Sequence, residues 1–243
     1  MKIRIFALRN AREILREPLN LFFGVGFPLA LLLLLNAIQS GVPVPLFVLS
    51  QLTPGIAVFG MSFITLFSAT ILAKDRGSAL LQRLYTTPMT PRDFILGYTL
   101  PILPIALLQS LICYAAAVLL GLEISLNILW CVLFMIPVAI LYIALGLLCG
   151  SLFTDKQVGG ICGALLTNVS AWLSGIWFDL ELVGGVFQKI AYALPFVHAV
   201  DMEKAVLAGD IAAALPHLWW VLIYGVGILL AAIYAFLRQM KRQ

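Results

Sequence analysis

The sequence predicts an all-α polytopic membrane protein, and three observations carry that expectation. The chain of 243 residues is 63% hydrophobic and only 11% charged, whereas soluble domains carry about 25% charged residues. Six runs contain no Asp, Glu, Lys or Arg: Leu19–Ile38, Ser50–Ala73, Phe94–Leu122, Ile124–Thr154, Gln157–Phe178 and Ile211–Leu237. Each is long enough to cross the hydrocarbon as a helix, which takes roughly 20 apolar residues. The third observation is where the positive charges fall.

Lys and Arg near the ends of spans are retained on the cytoplasmic side. With six crossings and the N-terminus inside, the inside set is Lys2, Arg4, Arg9, Arg12, Arg16, Lys74, Arg76, Arg83, Arg92, Lys156, Arg238, Lys241 and Arg242. That is thirteen of the fifteen, with only Lys189 and Lys204 outside. Both termini and the segment 74–93 are therefore expected in the cytoplasm. A pI near 9.0 can signal a nucleic-acid partner, but this excess is spread over membrane-flanking segments. Anionic headgroups are its counter-charge, and no nucleic-acid partner is expected.

Taken in order, residues 1–18 read as an interface helix. Ile3, Ala7, Ala11, Ile14 and Leu15 share one side of a helical wheel, and Lys2, Arg9, Arg12 and Arg16 share the other. A basic amphipathic helix of this kind lies in the membrane interface, and Pro18 ends it. The plainer reading is a basic topology signal with no further role. The first apolar run is too long for the core of a cleaved signal peptide, about 7–15 residues, so it is expected to stay.

The segment KDRGSALLQRLYTTPMTPRDF, residues 74–94, interrupts two apolar runs with six charges. After Gly77, a two-turn helix aligns Leu80, Leu81 and Leu84 on one side, with Ser78, Gln82 and Arg83 elsewhere. Thr87-Pro88 stops it, since a residue before proline is pushed out of the helical region. Thr90 then reads as an N-cap, with Pro91 at the first helical position and Asp93 facing the positive helix end. The segment is either an ordinary inter-span loop or a peg that docks into a cytosolic partner.

Gly146-x-x-x-Gly150 and Gly159-x-x-x-Gly163 flank the inner turn at Asp155-Lys156, and such spacing permits close helix packing. The fourth span is expected to pack on the fifth through them. Asn168, Ser170 and Ser174 give the fifth span its polarity and are candidates for lining a pathway. Residues 179–210 contain the apolar stretch VFQKIAYALPFVHAV, 186–200, too short to cross and return, and are expected to form a re-entrant or interfacial external element. Gly184-Gly185 and Leu194-Pro195 supply its breaks. Residues 238–243 form a cytoplasmic tail.

Chemistry is sparse. Cys113, Cys131, Cys149 and Cys162 lie inside the runs with no metal or redox spacing and read as packing residues. No G-x-x-x-x-G-K-[ST] phosphate loop occurs, so the chain is not expected to bind ATP. Coupled carriers place ionisable groups within the membrane; the runs contain only His217, at an edge, and His198 in the external segment reads as an interfacial aromatic. A Na⁺ site built from backbone carbonyls stays open. With no His–carboxylate cluster, no catalytic residue and no metal are expected. The chain reads as a membrane conduit without its own motor.

This arrangement resembles the permease subunits of type-2 ATP-binding-cassette exporters, over essentially the whole chain. Asp75-Arg76-Gly77, Arg83-Leu84, Thr87-Pro88-Met89, Asp93-Phe94-Ile95-Leu96-Gly97 and Leu194-Pro195-Phe196 carry the likeness. The departures are Ser78 where relatives have Thr, no Glu after it, and a Gly-to-Pro spacing about two residues longer. The resemblance implies six spans, an N-terminal interface helix and a re-entrant segment before the last span. It also implies a coupling helix, contributed here by Asp75, Arg76, Gly77, Leu80, Leu81, Arg83, Leu84, Thr87 and Pro88. It further implies a homodimer, or a heterodimer with a related permease, in a bacterial cytoplasmic membrane. ATP and Mg would sit on a separate ATPase subunit, and this chain would bind no cofactor. A stand-alone secondary transporter or channel is the alternative, and a membrane scaffold the third reading.

Overall fold

A computed structural model describes residues 2–18, 22–78 and 90–240, and every regular element among them is helical. Helix α1 is Lys2–Leu15. Helix α2 begins as a π-helical turn, Phe22–Gly26, and continues as Phe27–Gly41. Then come α3 (Leu49–Gly77), α4 (Pro91–Leu119) and α5 (Asn127–Leu152). Helix α6 is composite: Asp155–Val158, a π-helical stretch Gly159–Leu166, and Thr167–Trp172. Short helices α7 (Leu180–Val183) and α8 (Gly185–Tyr192) lead to α9 (Pro195–Leu207) and α10 (Ile211–Met240).

Among the described residues, five helices are long and apolar enough to cross a membrane: Phe22–Gly41, Leu49–Gly77, Arg92–Leu119, Asn127–Leu152 and Ile211–Gln239. They match the first four expected spans and the last. The fifth expected span, Gln157–Phe178, is instead the interrupted helix α6, which stops at Trp172. Glycines 159, 160 and 163 weaken it as a helix. The Thr167 hydroxyl donates to the Cys162 carbonyl at 3.0 Å, five residues back and in step with the widened π turn. Gly175, at φ +69, then turns the chain away.

Helix α3 is the axis of the fold. Of its most apolar window 89% is buried, against 17% for α2 at the bundle's edge. Its small residues admit α5 at close range. A Cβ on Gly146 would run into the Thr65 carbonyl oxygen, and one on Gly150 would lie 2.6 Å from that of Ala69. Thr65 also donates its hydroxyl to the Tyr142 carbonyl at 2.8 Å. The Gly146–Gly150 pair therefore packs on the second span, not on the fifth as its position in sequence suggests. Gly159 meets no neighbour, and Gly163 faces Leu66 of α3. The short turn makes α5 and α6 neighbours in sequence, yet α5 through Gly146 and Gly150 and α6 through Gly163 both approach α3.

The inner face of α1 also differs from the helical wheel. Phe6, Asn10 and Ile14 are buried, whereas Leu15 is 60% exposed. The reason is the aromatic pair on α4. Phe6 meets Phe94 and Tyr98 edge-on at 5.9 and 5.0 Å, and Asn10 donates to the Gly97 carbonyl at 3.0 Å. Gly97 has no side chain because Phe6 occupies the space a Cβ would need.

Candidate functional site

The α1 face, the C-terminal end of α3 and the start of α4 converge on Asp75. Its carboxylate is buried. Oδ2 accepts from Arg9 Nη1 at 2.7 Å and from the Tyr98 hydroxyl at 2.9 Å. Arg9 also pairs with Glu13 and donates to Asn10 Oδ1 at 2.8 Å. One carboxylate thus ties three helices together, through residues 66 and 23 positions away in sequence. Lys74 pairs with Glu17 beside it.

Arg76 points the other way. Its guanidinium donates to the carbonyls of Gly150 at 2.5 Å and Phe153 at 3.3 Å, at the C-terminal end of α5. The last carbonyls of a helix lack intrahelical donors and carry partial negative charge, so a cation there is favourable. Lys74, Asp75 and Arg76 are therefore three consecutive side chains that grip α1, α4 and α5 around the end of α3. Beyond Ser78 the coupling residues Leu80, Leu81, Arg83, Leu84, Thr87 and Pro88 lie outside the described residues. The chain re-enters at Thr90, whose backbone N–H donates to Asp93 Oδ2 at 2.7 Å while Asp93 N donates to Thr90 Oγ1 at 3.4 Å. This is the reciprocal cap the sequence announces.

Among the other predicted site residues, Gly77 ends α3 with open space where a Cβ would stand. Arg12 on α1 and Arg16 just after it are exposed. The fifth-span trio is not brought together. Asn168 is exposed and donates to the Ala164 carbonyl, whereas Ser174 is buried and donates to that of Ala171. Ser170 is buried against the Tyr142 hydroxyl at 2.6 Å.

The end of the bundle remote from α1 holds polar groups that the sequence reading missed. Glu203 of α9 is fully buried, and Tyr114 of α4 donates to its Oε2 at 2.9 Å. Burial pushes the Glu203 carboxyl up to about 8, against a smaller lowering by the Tyr114 hydrogen bond. The apolar runs indeed lack carboxylates, but α9 inserts one between them. The signal was in α9 itself: Phe196, Ala199, Val200, Glu203 and Val206 form one helical stripe, and Glu203 sits on its apolar face.

His198 and His217 meet there as well, with their Nδ1 atoms 2.9 Å apart. His198 Nε2 lies 3.0 Å from the Tyr192 carbonyl. A carbonyl only accepts, so this nitrogen carries the hydrogen. Neutral His198 then offers a bare Nδ1, which accepts from Nδ1–H of His217. Burial, its largest cause, holds His198 below the ordinary histidine range and favours this neutral arrangement. His198 also stacks on Trp220, ring centroids 4.8 Å apart. Among the described residues no group of three or more His, Cys, Asp or Glu is placed to hold a metal.

A helical bundle with five membrane-length apolar helices, bound together by buried polar contacts at both ends, is a polytopic membrane protein. The family model of the ABC-2 family transporter proteins matches residues 43–234, most of the chain, and the protein belongs to that family. None of the curated proteins matches it.

Proposed function

We propose that the chain is the permease subunit of an ATP-binding-cassette exporter, driven by a separate ATPase that binds ATP and Mg. The observation that carries this reading is the ABC-2 family match over residues 43–234, which includes the whole segment 74–93. The absence of a phosphate loop from the sequence supports a motor on another chain. The thirteen-to-two bias of Lys and Arg supports placing α1, Asp75 and segment 74–93 in the cytoplasm. On this reading α6 is the fifth of six crossings, α10 is the sixth, and residues 179–210 are a re-entrant cap on the outer side. Two copies of the chain form the pathway, and Asn168, exposed on α6, is the member of the polar trio able to face it.

The coupling role follows from position. ATPase closure would press on residues 77–88, and the grips of Asp75 and Arg76 on α1, α4 and α5 would carry that displacement into the bundle. Arg76 has a partner inside the chain, so the docking test uses Arg83 and Leu84. The double change Arg83→Glu with Leu84→Asp is expected to abolish co-purification of the ATPase and its stimulation in proteoliposomes, with the permease still monodisperse. Unchanged stimulation removes the peg from the coupling role. Gradient-driven transport by the chain alone would establish the stand-alone transporter instead.

A further inference from the structure

A cavity of about 420 Å³ opens at the end remote from α1, between the approach to α3 and the segment 175–204. That volume lies in the range of ligand sites, roughly 300–1,000 Å³. Phe47, Trp177 and Tyr192 line it, together with Asp179, Asp201 and Lys204. We propose that it is a binding site for an amphipathic organic cation, with the positive group at Asp201 and the apolar body against the aromatic rings. The proposal rests on the exporter reading only for placing the cavity on the outer side.

Three features select that ligand class. The cavity carries two carboxylates against one ammonium, so its charge is negative with Lys204 counted. Asp179 is already used, accepting the Glu181 N–H at 2.9 Å as the cap of α7. Asp201 makes no hydrogen bond or ion pair among the described residues, although it is only half-exposed. Aromatic faces add a second attraction for a cation once water is displaced, and none for an anion.

The surroundings of Asp201 explain why an incoming cation gains there. Burial raises its affinity for a proton, and Asp179 adds to that. Lys204 and His198 on α9 and His217 on α10 act in the opposite direction. Tyr192 on α8 completes the ring of titratable neighbours. A seated cation stabilises the carboxylate form, so binding releases part of a proton at acid pH and tightens as pH rises.

The test uses two ions of the same shape and opposite charge, tetraphenylphosphonium and tetraphenylborate, titrated calorimetrically into the purified full chain. The phosphonium is expected to bind at least about tenfold more tightly, the equivalent of one charge-assisted contact. Asp201→Asn should weaken it about tenfold, and Lys204→Met should tighten it about threefold. Equal binding of both ions would mean partition into detergent and overturns the site, as does an unchanged affinity in Asp201→Asn. If that variant does not fold, Lys204→Met decides: tightening supports the site and no change refutes it. No ATPase takes part, so failure here leaves the permease reading standing.

Discussion

At one end of the bundle Arg9 holds buried Asp75, and Lys74 holds Glu17; at the other, His198 leans on His217, and Tyr114 donates to Glu203. Both ends fasten a peripheral helix, α1 or α9, to the spanning core. The first does so with ion pairs between residues of opposite formal charge. The second does so with hydrogen bonds to Glu203 and His198, two groups whose charged forms burial disfavours. Burial opposes charge at both ends, and the difference lies in whether a counter-charge is supplied. The α9 end is therefore expected to respond to pH through Glu203 and His198.

The seam between the ends sets the scale. Gly146→Leu drives a side chain into the Thr65 carbonyl and should loosen both ends together, costing about 4 kcal/mol or more. The expected readout is loss of a monodisperse peak in size-exclusion chromatography at any pH. A variant that remains folded would mean that α3 and α5 are not in close contact.

Glu203→Gln should come next and separate the ends. A carboxyl raised to about 8 in the folded chain stabilises below its ordinary value. That contribution is lost as pH climbs from the ordinary value towards 8. The amide keeps the Tyr114 hydrogen bond and cannot ionise. The variant should gain about 3 kcal/mol at pH 8 and nothing at pH 4, read as a rise in Tm in detergent. An unchanged pH profile would mean that Glu203 is hydrated.

Arg9→Ala leaves Asp75 buried with only Tyr98. Because Arg9 is partly exposed, the cost should be about 2 kcal/mol, below that of a fully buried pair. The loss should appear as a lower Tm in thermal unfolding; an unchanged Tm would mean that Asp75 does not depend on Arg9. The smallest effect belongs to His217→Leu, about 1 kcal/mol at pH 7.5 for one lost hydrogen bond. His198 is held below its ordinary range, so its stabilisation is present above that range and lost as pH falls below it. The gap between wild type and variant should narrow as pH falls, because a protonated His198 no longer offers a bare Nδ1 to the His217 N–H.

Local chemistry was the legible part of this sequence. The Thr90–Asp93 cap needs only residues three apart and was readable as such. The breaks at Gly184-Gly185 and Pro195 were equally local. The four long apolar helices before α6 and the last one followed from run length alone. Long-range pairing was not readable: nothing near Gly146 says that its partner is Thr65, and the wheel of α1 could not anticipate aromatic rings on α4. Glu203 was hidden for a different reason. Counting charges by run assigns α9 to the exterior, although the helix folds back into the bundle. In the candidate site, the sequence offered Asp75 and Arg76 only as residues facing a partner, and their contacts inside the chain depend on α1, α4 and α5 and could only be seen in three dimensions.

The π-helical stretch Gly159–Leu166 has a geometric consequence for everything after it. A π turn holds about one residue more than an α turn, and each α-helical residue advances the side chain by about 100°. Returning the stretch to α register would rotate Thr167–Trp172 by about that angle. Ser170 would swing off the Tyr142 hydroxyl, and Asn168 would trade its outward aspect for another face. The widened turn is thus what sets the facing of α6, as the close glycine contacts set that of α5 on α3.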